Sequence, residues 1–306
     1  MPTAESVKAK IQNLISLAND ITGNNDSDLT SAVTTLSEGY GQGGGGTPAS
    51  EIIDGSATEI TNGDTKTIRE YSFYTNSKIT SVDFPAVTRI KNYAFYKCSS
   101  LRNMSFPEVT TLDSYAFQQC VVLEEAIFPK AMSFPGSQGN YQFSGCAKLK
   151  TASFPEYRSI GTNNFDNCTS LTTINFPKVT CINDNAFYGC TGLINVNFPS
   201  LTDLRNACFY GCSNLATAIL GSIPQIKNTV FKNCSSLNTL VIKTNSICTM
   251  LNTAAFDGTP FASGGTGGTV YVPQALIESY KTASNWATLY DAGTCTFAPI
   301  EGSEYE

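Results

Sequence analysis

The chain has 306 residues, of which 14% are charged, and a formal net charge of −6. An acidic chain without a Lys/Arg cluster is a poor binder of nucleic acid. The sequence contains no His, which excludes the nucleophile systems that rely on a His base and removes the commonest metal ligand. No apolar run reaches the roughly 18 residues of a membrane-spanning helix, so we expect no membrane insertion.

The first 40 residues predict an α-helical hairpin. Apolar residues recur at helical spacing over residues 4–19 and again, after a turn at residues 23–26, up to residue 39. This one-sided apolar stripe is too small to bury a core alone, so we expect it to pack on a second copy, on a partner or on the rest of the chain. It is therefore the candidate assembly anchor, with the residues Val7, Ile11, Leu14, Leu29, Val33 and Leu36. A Gly-rich linker and entry segment follows at residues 41–56.

From residue 57 to residue 244 the sequence repeats a block of about 22 residues. The block heads, which read Leu-x-x-Ile/Val-x-Phe-Pro, are Leu101, Leu123, Leu149, Leu171, Leu193 and Leu215, with variants at Ile79 and Leu237. The mid-block Phe residues are Phe73, Phe95, Phe117, Phe143, Phe165, Phe187, Phe209 and Phe231. A fixed period of this length is the signature of a solenoid. We predict a repeat solenoid of short parallel strands plus turns, in which these Phe side chains stack in one core column.

Seven cysteines share one position of the block, namely Cys98, Cys120, Cys146, Cys168, Cys190, Cys212 and Cys234. Neighbouring coils lie roughly 4.7–4.9 Å apart, whereas the two Cβ atoms of a disulfide are about 3.8 Å apart. We therefore predict reduced, buried thiols that act as small hydrophobes. The sequence has no Cys-x-x-Cys pair for zinc, and we expect neither a metal nor a cofactor.

One block is longer than the others, because Cys120 and Cys146 are 26 positions apart. The extra residues fall near the Gly- and Ser-rich stretch 136–140, which predicts a protruding loop. Insertions into a solenoid often map to a binding face. Surface loops also tolerate insertion at little thermodynamic cost, and both interpretations stay open.

After residue 244 the pattern decays, and residues 245–306 are predicted to be a C-terminal cap. Residues 270–273 are typical of a strand, and residues 274–283 place apolar side chains on one helical face. Trp286 follows them. Terminal units of a solenoid must cover the open end of its core, and this apolar segment is well placed to do so.

The block Leu-x-x-Val-x-Phe-Pro-x-Val-Thr-x-Ile-x-x-x-Ala-Phe-x-x-Cys resembles the BspA-like leucine-rich repeat. It fits best at residues 79–98, 171–190 and 193–212. The run 269–286 is similar to the end segment that often follows such repeats in gut Firmicutes proteins. This resemblance covers about residues 57–290 and implies a right-handed leucine-rich-repeat solenoid with a surface-exposed, adhesion-type role. It brings no catalytic residues.

Residues 1–45 resemble something different, the N-terminal segments of phage and prophage structural proteins. The matching wording includes Ile-Gln-Asn-Leu-Ile and Gly-Tyr-Gly. This resemblance implies a virion component assembled in the host cytoplasm. Its hairpin would bind a second copy of the chain or other virion proteins, and its solenoid a glycan or protein of the host surface. The alternative hypothesis is a bacterial cell-surface or secreted adhesin of the BspA-like class, expressed without its signal peptide, because residues 1–5 lack the basic start of a signal peptide.

An enzyme is disfavoured, since no paired carboxylates mark a cleft and the glycine run 43–46 lacks the ending of a phosphate loop. The candidate ligand-binding residues share one position of the block, two before the mid-block Phe, and are Tyr71, Tyr93, Tyr115 and Tyr141. A second position, directly after the Phe, holds Tyr74, Tyr96, Tyr188 and Tyr210. Stacked aromatic rings bind glycans or proteins. They also pack on one another as a purely structural ladder, and the sequence leaves this choice open.

Overall fold

The computed structural model describes residues 58–133 and 139–306, which form a parallel β-solenoid. Each regular coil contributes one strand to each of two parallel ladders. In the first ladder Glu59 pairs with Ser81, and Ser81 pairs with Asn103, so the register advances by 22 residues for each coil. The predicted repeat solenoid is therefore confirmed. The helical hairpin and the linker lie outside the described residues.

The long ladder is paired in three successive sheets, namely Glu59–Thr61, Ser81–Asp83 and Asn103–Ser105, then Glu125–Ile127, Thr151–Ser153 and Thr173–Asn175, then Asn195–Phe198, Thr217–Leu220, Thr239–Ile242, Gly268–Val272 and Cys295–Pro299. The short ladder is likewise paired in three sheets, namely Thr67–Ile68, Arg89–Ile90 and Thr111–Leu112, then Ser159–Ile160, Cys181–Ile182 and Asp203–Leu204, then Gln225–Ile226 and Thr249–Met250. Successive side chains of a strand point to opposite faces. Val82, at the middle of its strand, is therefore buried between two more exposed neighbours. The Pro that closes most of the heads, such as Pro107, follows the strand because it lacks the N–H that a ladder position needs.

The core is built on the mid-block Phe side chains, which stack from Phe73 to Phe256 with ring centroids 4.8–5.7 Å apart. This confirms the predicted Phe column. A second column, from Phe84 to Phe198, is formed by the Phe that lies at or directly after the end of each strand of the long ladder in these coils. The two columns meet edge to face, as Phe95 and Phe106 do at 5.8 Å and 62°. Aromatic pairs prefer such geometry over a face-to-face sandwich.

The mid-block segment is a turn that hydrogen-bonds to the next coil. The N–H groups of Phe73 and Thr75 donate to the carbonyls of Ala94 and Tyr96, each at 2.7 Å. Two residues in each coil adopt the left-handed backbone conformation, one two positions before the Phe and the other two positions after it. The later position is Gly or Asn in every described coil from Phe143 to Phe256, because Gly has no Cβ and Asn tolerates the left-handed conformation better than most L-residues.

The cysteine column is buried, as predicted, and its thiols also form a hydrogen-bonded ladder. Each Sγ donates to the carbonyl of the mid-block Phe in the preceding coil, at 2.9–3.2 Å. Cys146, for example, donates to the carbonyl of Phe117 at 3.1 Å. The prediction of a small hydrophobe was therefore incomplete, because the thiol also satisfies a buried carbonyl. All eleven cysteines are buried and unpaired.

The longer block is accommodated by a buried polar network. In a regular coil the carbonyl at the end of a short strand accepts a backbone N–H, as Ile90 accepts that of Asp113. At Leu112 the carbonyl accepts the side-chain Nε2 of Gln142 instead. The Oε1 of Gln142 in turn accepts from Asn164 at 2.9 Å and from the Tyr157 hydroxyl at 3.2 Å. Most of the predicted protruding loop lies outside the described residues.

The C-terminal part carries the 3-10 turns Thr253–Phe256 and Gln274–Leu276 and the helices α1 (Ile277–Thr282) and α2 (Trp286–Asp291). The buried ring of Trp286 lies 6.0 Å from that of Phe256, the last ring of the Phe column. Its Nε1 donates to the carbonyl of Cys248 at 2.7 Å. No helix in the described part of the chain has the length and apolar character needed to span a membrane.

Candidate functional site

The four candidate tyrosines form one continuous stack on the outside of the solenoid. Consecutive ring centroids of Tyr71, Tyr93, Tyr115 and Tyr141 are 5.2, 4.5 and 5.0 Å apart, with interplanar angles of 7°, 3° and 8°. We call this stack the tyrosine column. The spacing follows from the fold, because the rings project from equivalent positions of neighbouring coils.

A second, shorter stack lies beside the column. Tyr74 and Tyr96 are stacked at 5.0 Å and meet Tyr71 and Tyr93 edge to face at 5.5 and 5.6 Å. The ammonium of Lys97 lies 5.1 Å from the centre of the Tyr96 ring, within range of a cation–π interaction. These six tyrosines together are the tyrosine edge. Tyr71 and Tyr74 are 45% and 46% exposed, so the edge offers aromatic surface to solvent.

Stacking decides which part of each ring a ligand can reach. Within the column the ring faces cover one another, so ring margins and hydroxyl groups point outward and a free face remains only at an end. Burial, followed by the neighbouring hydroxyls of Tyr115 and Tyr71, raises the pKa of Tyr93 above its ordinary value of 10.0. The hydroxyl of Tyr93 therefore stays protonated at neutral pH, and it can both donate and accept a hydrogen bond.

The backbone beneath the column is left-handed, with φ of 57°, 55°, 62° and 57° at the four tyrosines. For an L-residue this conformation costs roughly 1–2 kcal/mol, while each aromatic pair returns about 0.5–1.5 kcal/mol. The same position in the later coils holds Asn163, Asn185, Ala207 and Thr229, with φ of 51–57° and no ring. The turn therefore forms without tyrosine, and the sequence gave no sign that its backbone is left-handed.

One residue of this surface was not singled out from the sequence. Asp166 occupies the position that Tyr74, Tyr96 and Tyr188 hold in other coils. Its Oδ1 is shielded from solvent, Asn167 donates to Oδ2 at 3.2 Å, and the side chains of Ser144 and Asn163 also lie within reach of the carboxylate. Burial raises the pKa of this carboxyl group above its ordinary value of 3.8. The available signal was an acidic residue at a position otherwise rich in tyrosine.

Other predicted features are less informative. The anchor residues Val7, Ile11, Leu14, Leu29, Val33 and Leu36 lie outside the described residues. Outward positions of the long ladder carry a row of hydroxyl side chains, such as Thr217, Thr239 and Thr269 in register. Such a row is what a solvated sheet also requires. Across residues 58–133 and 139–306 no group of three His, Cys, Asp or Glu is placed to hold a metal ion.

Comparison with known proteins identifies the repeat. The family described as "BspA type Leucine rich repeat region (6 copies)" matches residues 66–180 and 158–263. A leucine-rich repeat protein from Bacteroides ovatus is similar, with a TM-score of 0.59 and 22% identity over 77% of this chain and 58% of that one. The chain thus spans little more than half of that structure.

A leucine rich cell surface protein from Faecalibacterium prausnitzii is also similar, with a TM-score of 0.50 and 18% identity over 81% of this chain and 89% of that one. At these identities the two structures show a shared fold alone. No curated protein matches the sequence.

Proposed function

This chain belongs to the BspA-type leucine-rich repeat family, and we propose from that premise that it is a non-enzymatic recognition protein of the bacterial cell surface. The proposal takes up the alternative hypothesis of the sequence analysis. The similar protein from F. prausnitzii is itself described as a cell surface protein, which supports this localisation. The virion hypothesis rests on residues 1–45 alone, and none of the comparisons supports it.

The tyrosine edge is the proposed contact surface, and one observation carries this assignment. Four consecutive coils place tyrosine at a left-handed position where the later coils have Asn, Ala or Thr with the same backbone. The fold does not need these rings, and they are partly exposed. Tyrosine supplies large, rigid contact area and a hydroxyl for little loss of side-chain entropy, and it is enriched at binding hot spots.

We further propose a division of labour along the chain. Residues 57–244 display the contact surface, residues 245–306 close the core, and residues 41–56 act as a tether. Residues 1–40 would anchor the protein to a second copy or to another surface component. Changing Leu14→Asp together with Leu29→Asp should then lower the oligomeric mass measured by light scattering. An unchanged mass would refute the anchor.

The test of the contact surface uses Tyr93→Asn/Tyr115→Asn in the full chain. Asn already occupies the equivalent position at Asn163 and Asn185, with φ of 55° and 57°, so the turn is expected to keep its backbone. We expect loss of binding of the labelled protein to a glycan array and to cultured epithelial cells. Removing two ring contacts at a binding hot spot weakens affinity by about 2 kcal/mol or more.

The matched control is Tyr188→Asn/Tyr210→Asn, which removes another stacked pair, 4.7 Å apart, from outside the tyrosine edge. This control should keep wild-type binding. If both double variants are folded and bind as well as the wild type, the tyrosine edge is not the contact surface. A loss in both variants would point to a surface larger than the edge.

A further inference from the structure

The lysines of the first coils differ from the later ones in their ion pairs. Six of the eight lysines after residue 97 pair with a carboxylate, namely Lys130, Lys150, Lys178, Lys227, Lys232 and Lys281. None of the four lysines of residues 66–97 forms an ion pair in the described part of the chain. This stretch holds six Lys and Arg and two acidic residues, against 19 and 25 in the whole chain. The first coils therefore carry uncompensated positive charge on an acidic protein.

Two of these lysines border the tyrosine edge. Along one coil, Lys91 lies two residues before Tyr93, and Lys97 directly follows Tyr96. Both lysines are exposed. The ammonium of Lys97 lies 5.1 Å from the centre of the Tyr96 ring, which in turn meets the Tyr93 ring at 5.6 Å. A ligand that lies across the two tyrosines therefore has a flexible ammonium group on either side.

The fold offers a place for a compensating carboxylate, and the coil of Lys91 does not use it. The block position of Lys91 is held by Arg205 and Lys227 in two later coils. There Asp203 neutralises both side chains, at 3.1 and 3.2 Å. In the coil of Lys91 the position equivalent to Asp203 is held by Arg89, which forms its own ion pair with the following coil. The charge of Lys91 is therefore left available to a ligand.

The surroundings of Tyr93 disfavour two other classes of anionic partner. Nucleic acid bases need free aromatic faces, whereas the Tyr93 ring is covered by Tyr71 and Tyr115, at 5.2 and 4.5 Å. An acidic peptide that binds by strand addition needs an unpaired strand edge. Both strands of this coil, Ser81–Asp83 and Arg89–Ile90, are paired on both sides. The groups that remain available are ring margins, hydroxyls and ammoniums, which suit a ligand rich in hydroxyl groups and negative charge.

We propose that Lys91, Tyr93, Tyr96 and Lys97 form a binding surface for a sulfated glycan. The tyrosines contact the sugar rings and their hydroxyls, and the two ammoniums bind sulfate groups. Lys acts as a point charge, which suits a tetrahedral sulfate, whereas a planar carboxylate is matched best by the bidentate fork of Arg. This proposal rests on the proposed recognition function and names the ligand class for the tyrosine edge.

The test measures the affinity of the full chain for a chondroitin sulfate oligosaccharide and for its chemically desulfated form by calorimetry. We expect the wild type to bind the sulfated probe more weakly at about 300 mM than at about 50 mM NaCl, since salt screens exposed charges. The desulfated probe should not bind. Lys91→Gln/Lys97→Gln should lower the affinity at least about tenfold, as for the loss of charge-assisted hydrogen bonds. Both side chains are exposed, so this variant is expected to fold.

The matched control is Lys148→Gln/Lys243→Gln, which removes the same charge from two exposed lysines outside the tyrosine edge. Neither of them forms an ion pair with the described residues. This control should keep the wild-type affinity. An equal loss in both double variants would overturn the proposal, because it would show attraction to the overall charge alone. Absence of binding to the sulfated probe, or equally strong competition by a polyglutamate peptide, would also overturn it.

Failure of this proposal is distinguishable from failure of the proposed function. If the sulfated probe does not bind but Tyr93→Asn/Tyr115→Asn still abolishes cell binding, the recognition function stands and the ligand class is wrong. If Lys91→Gln/Lys97→Gln loses the probe while the tyrosine variant keeps full cell binding, the sulfate site stands and the tyrosine edge is refuted as the contact surface.

Discussion

The coils that carry Tyr71 to Tyr141 and those that carry Asn163 to Thr229 share their interior and differ on one edge. In both regions the mid-block Phe rings stack, the cysteine thiols bond to the preceding Phe carbonyl, and the turn adopts the same left-handed conformation. Only the first region has an aromatic ring in every coil at the position two residues before the mid-block Phe. Interior and edge are therefore specified separately, so the edge is free to vary with function.

Alkaline pH should destabilise both regions together, and we expect it to lower the free energy of unfolding more than any of the substitutions below. Burial raises the pKa of the thiols of Cys146, Cys248 and Cys295 from 9.0 to about 12. Their contribution to stability is fully present below pH 9, because there both states hold the proton. It is lost between pH 9 and 12, where only the unfolded chain releases it, at about 1.4 kcal/mol per thiol and pH unit.

Denaturant unfolding at pH 8, 9, 10 and 11 measures this loss. Pulsed alkylation of the native protein at pH 10 is the control and should leave these thiols unmodified. A free energy of unfolding that stays constant from pH 9 to pH 11 would contradict the burial of the thiols.

Truncation of the Phe column should affect the two regions equally. Phe95→Ala and Phe209→Ala each remove a fully buried ring that stacks on two neighbours. We expect each change to lower the free energy of unfolding by about 3–5 kcal/mol, which is typical of a large cavity. Chemical denaturation of both variants measures the effect. A difference of more than about 2 kcal/mol between them would show that the interiors are not equivalent, since such losses track cavity size.

Replacement of a ladder thiol should have an intermediate effect. In Cys146→Ser the shorter C–O bond holds the hydroxyl farther from the Phe117 carbonyl than the 3.1 Å of the thiol. A poorly satisfied buried hydroxyl lowers the free energy of unfolding by about 1–3 kcal/mol. Cys212→Ser, whose thiol donates to Phe187 at 3.2 Å, should behave alike in the other region. Thermal and denaturant melts of the two variants test this prediction. An unchanged free energy of unfolding in Cys146→Ser would show that the hydroxyl reaches the carbonyl.

Removal of one ring from the tyrosine column should change stability least. Tyr115→Asn loses stacking on Tyr93 and Tyr141, at 4.5 and 5.0 Å, and at the same time relieves left-handed strain. These opposing effects leave a net change below about 1.5 kcal/mol. Ala207→Asn, which makes the equivalent position of the other region more tolerant, is the comparison and should stabilise slightly. If Tyr115→Asn lowers the free energy of unfolding by more than about 3 kcal/mol, the loss exceeds the stacking energy that it removes. The tyrosine column would then be required for the stability of the fold.

Period and residue type predicted the interior of this protein well. Phe and Cys each recur at a fixed position of a 22-residue block. Each residue type can stack on its copy in the next coil only if the coils are in register, as Phe95 stacks on Phe117. The role of Gln142 could not be predicted, because the carbonyl it satisfies belongs to Leu112, 30 residues earlier. The sequence also did not reveal that the ladder thiols are donors, since their acceptors lie one coil away.

The amino-acid sequence by itself determined the solenoid, its core columns and the position of the tyrosines, since a repeating pattern fixes which side chains recur at each coil. The tertiary structure alone decided what those tyrosines offer to a ligand. Their left-handed backbone and the mutual covering of their faces arise from contacts between coils. Such contacts depend on the orientation of the rings and on the spacing between coils, and neither can be predicted from the amino-acid sequence of one coil.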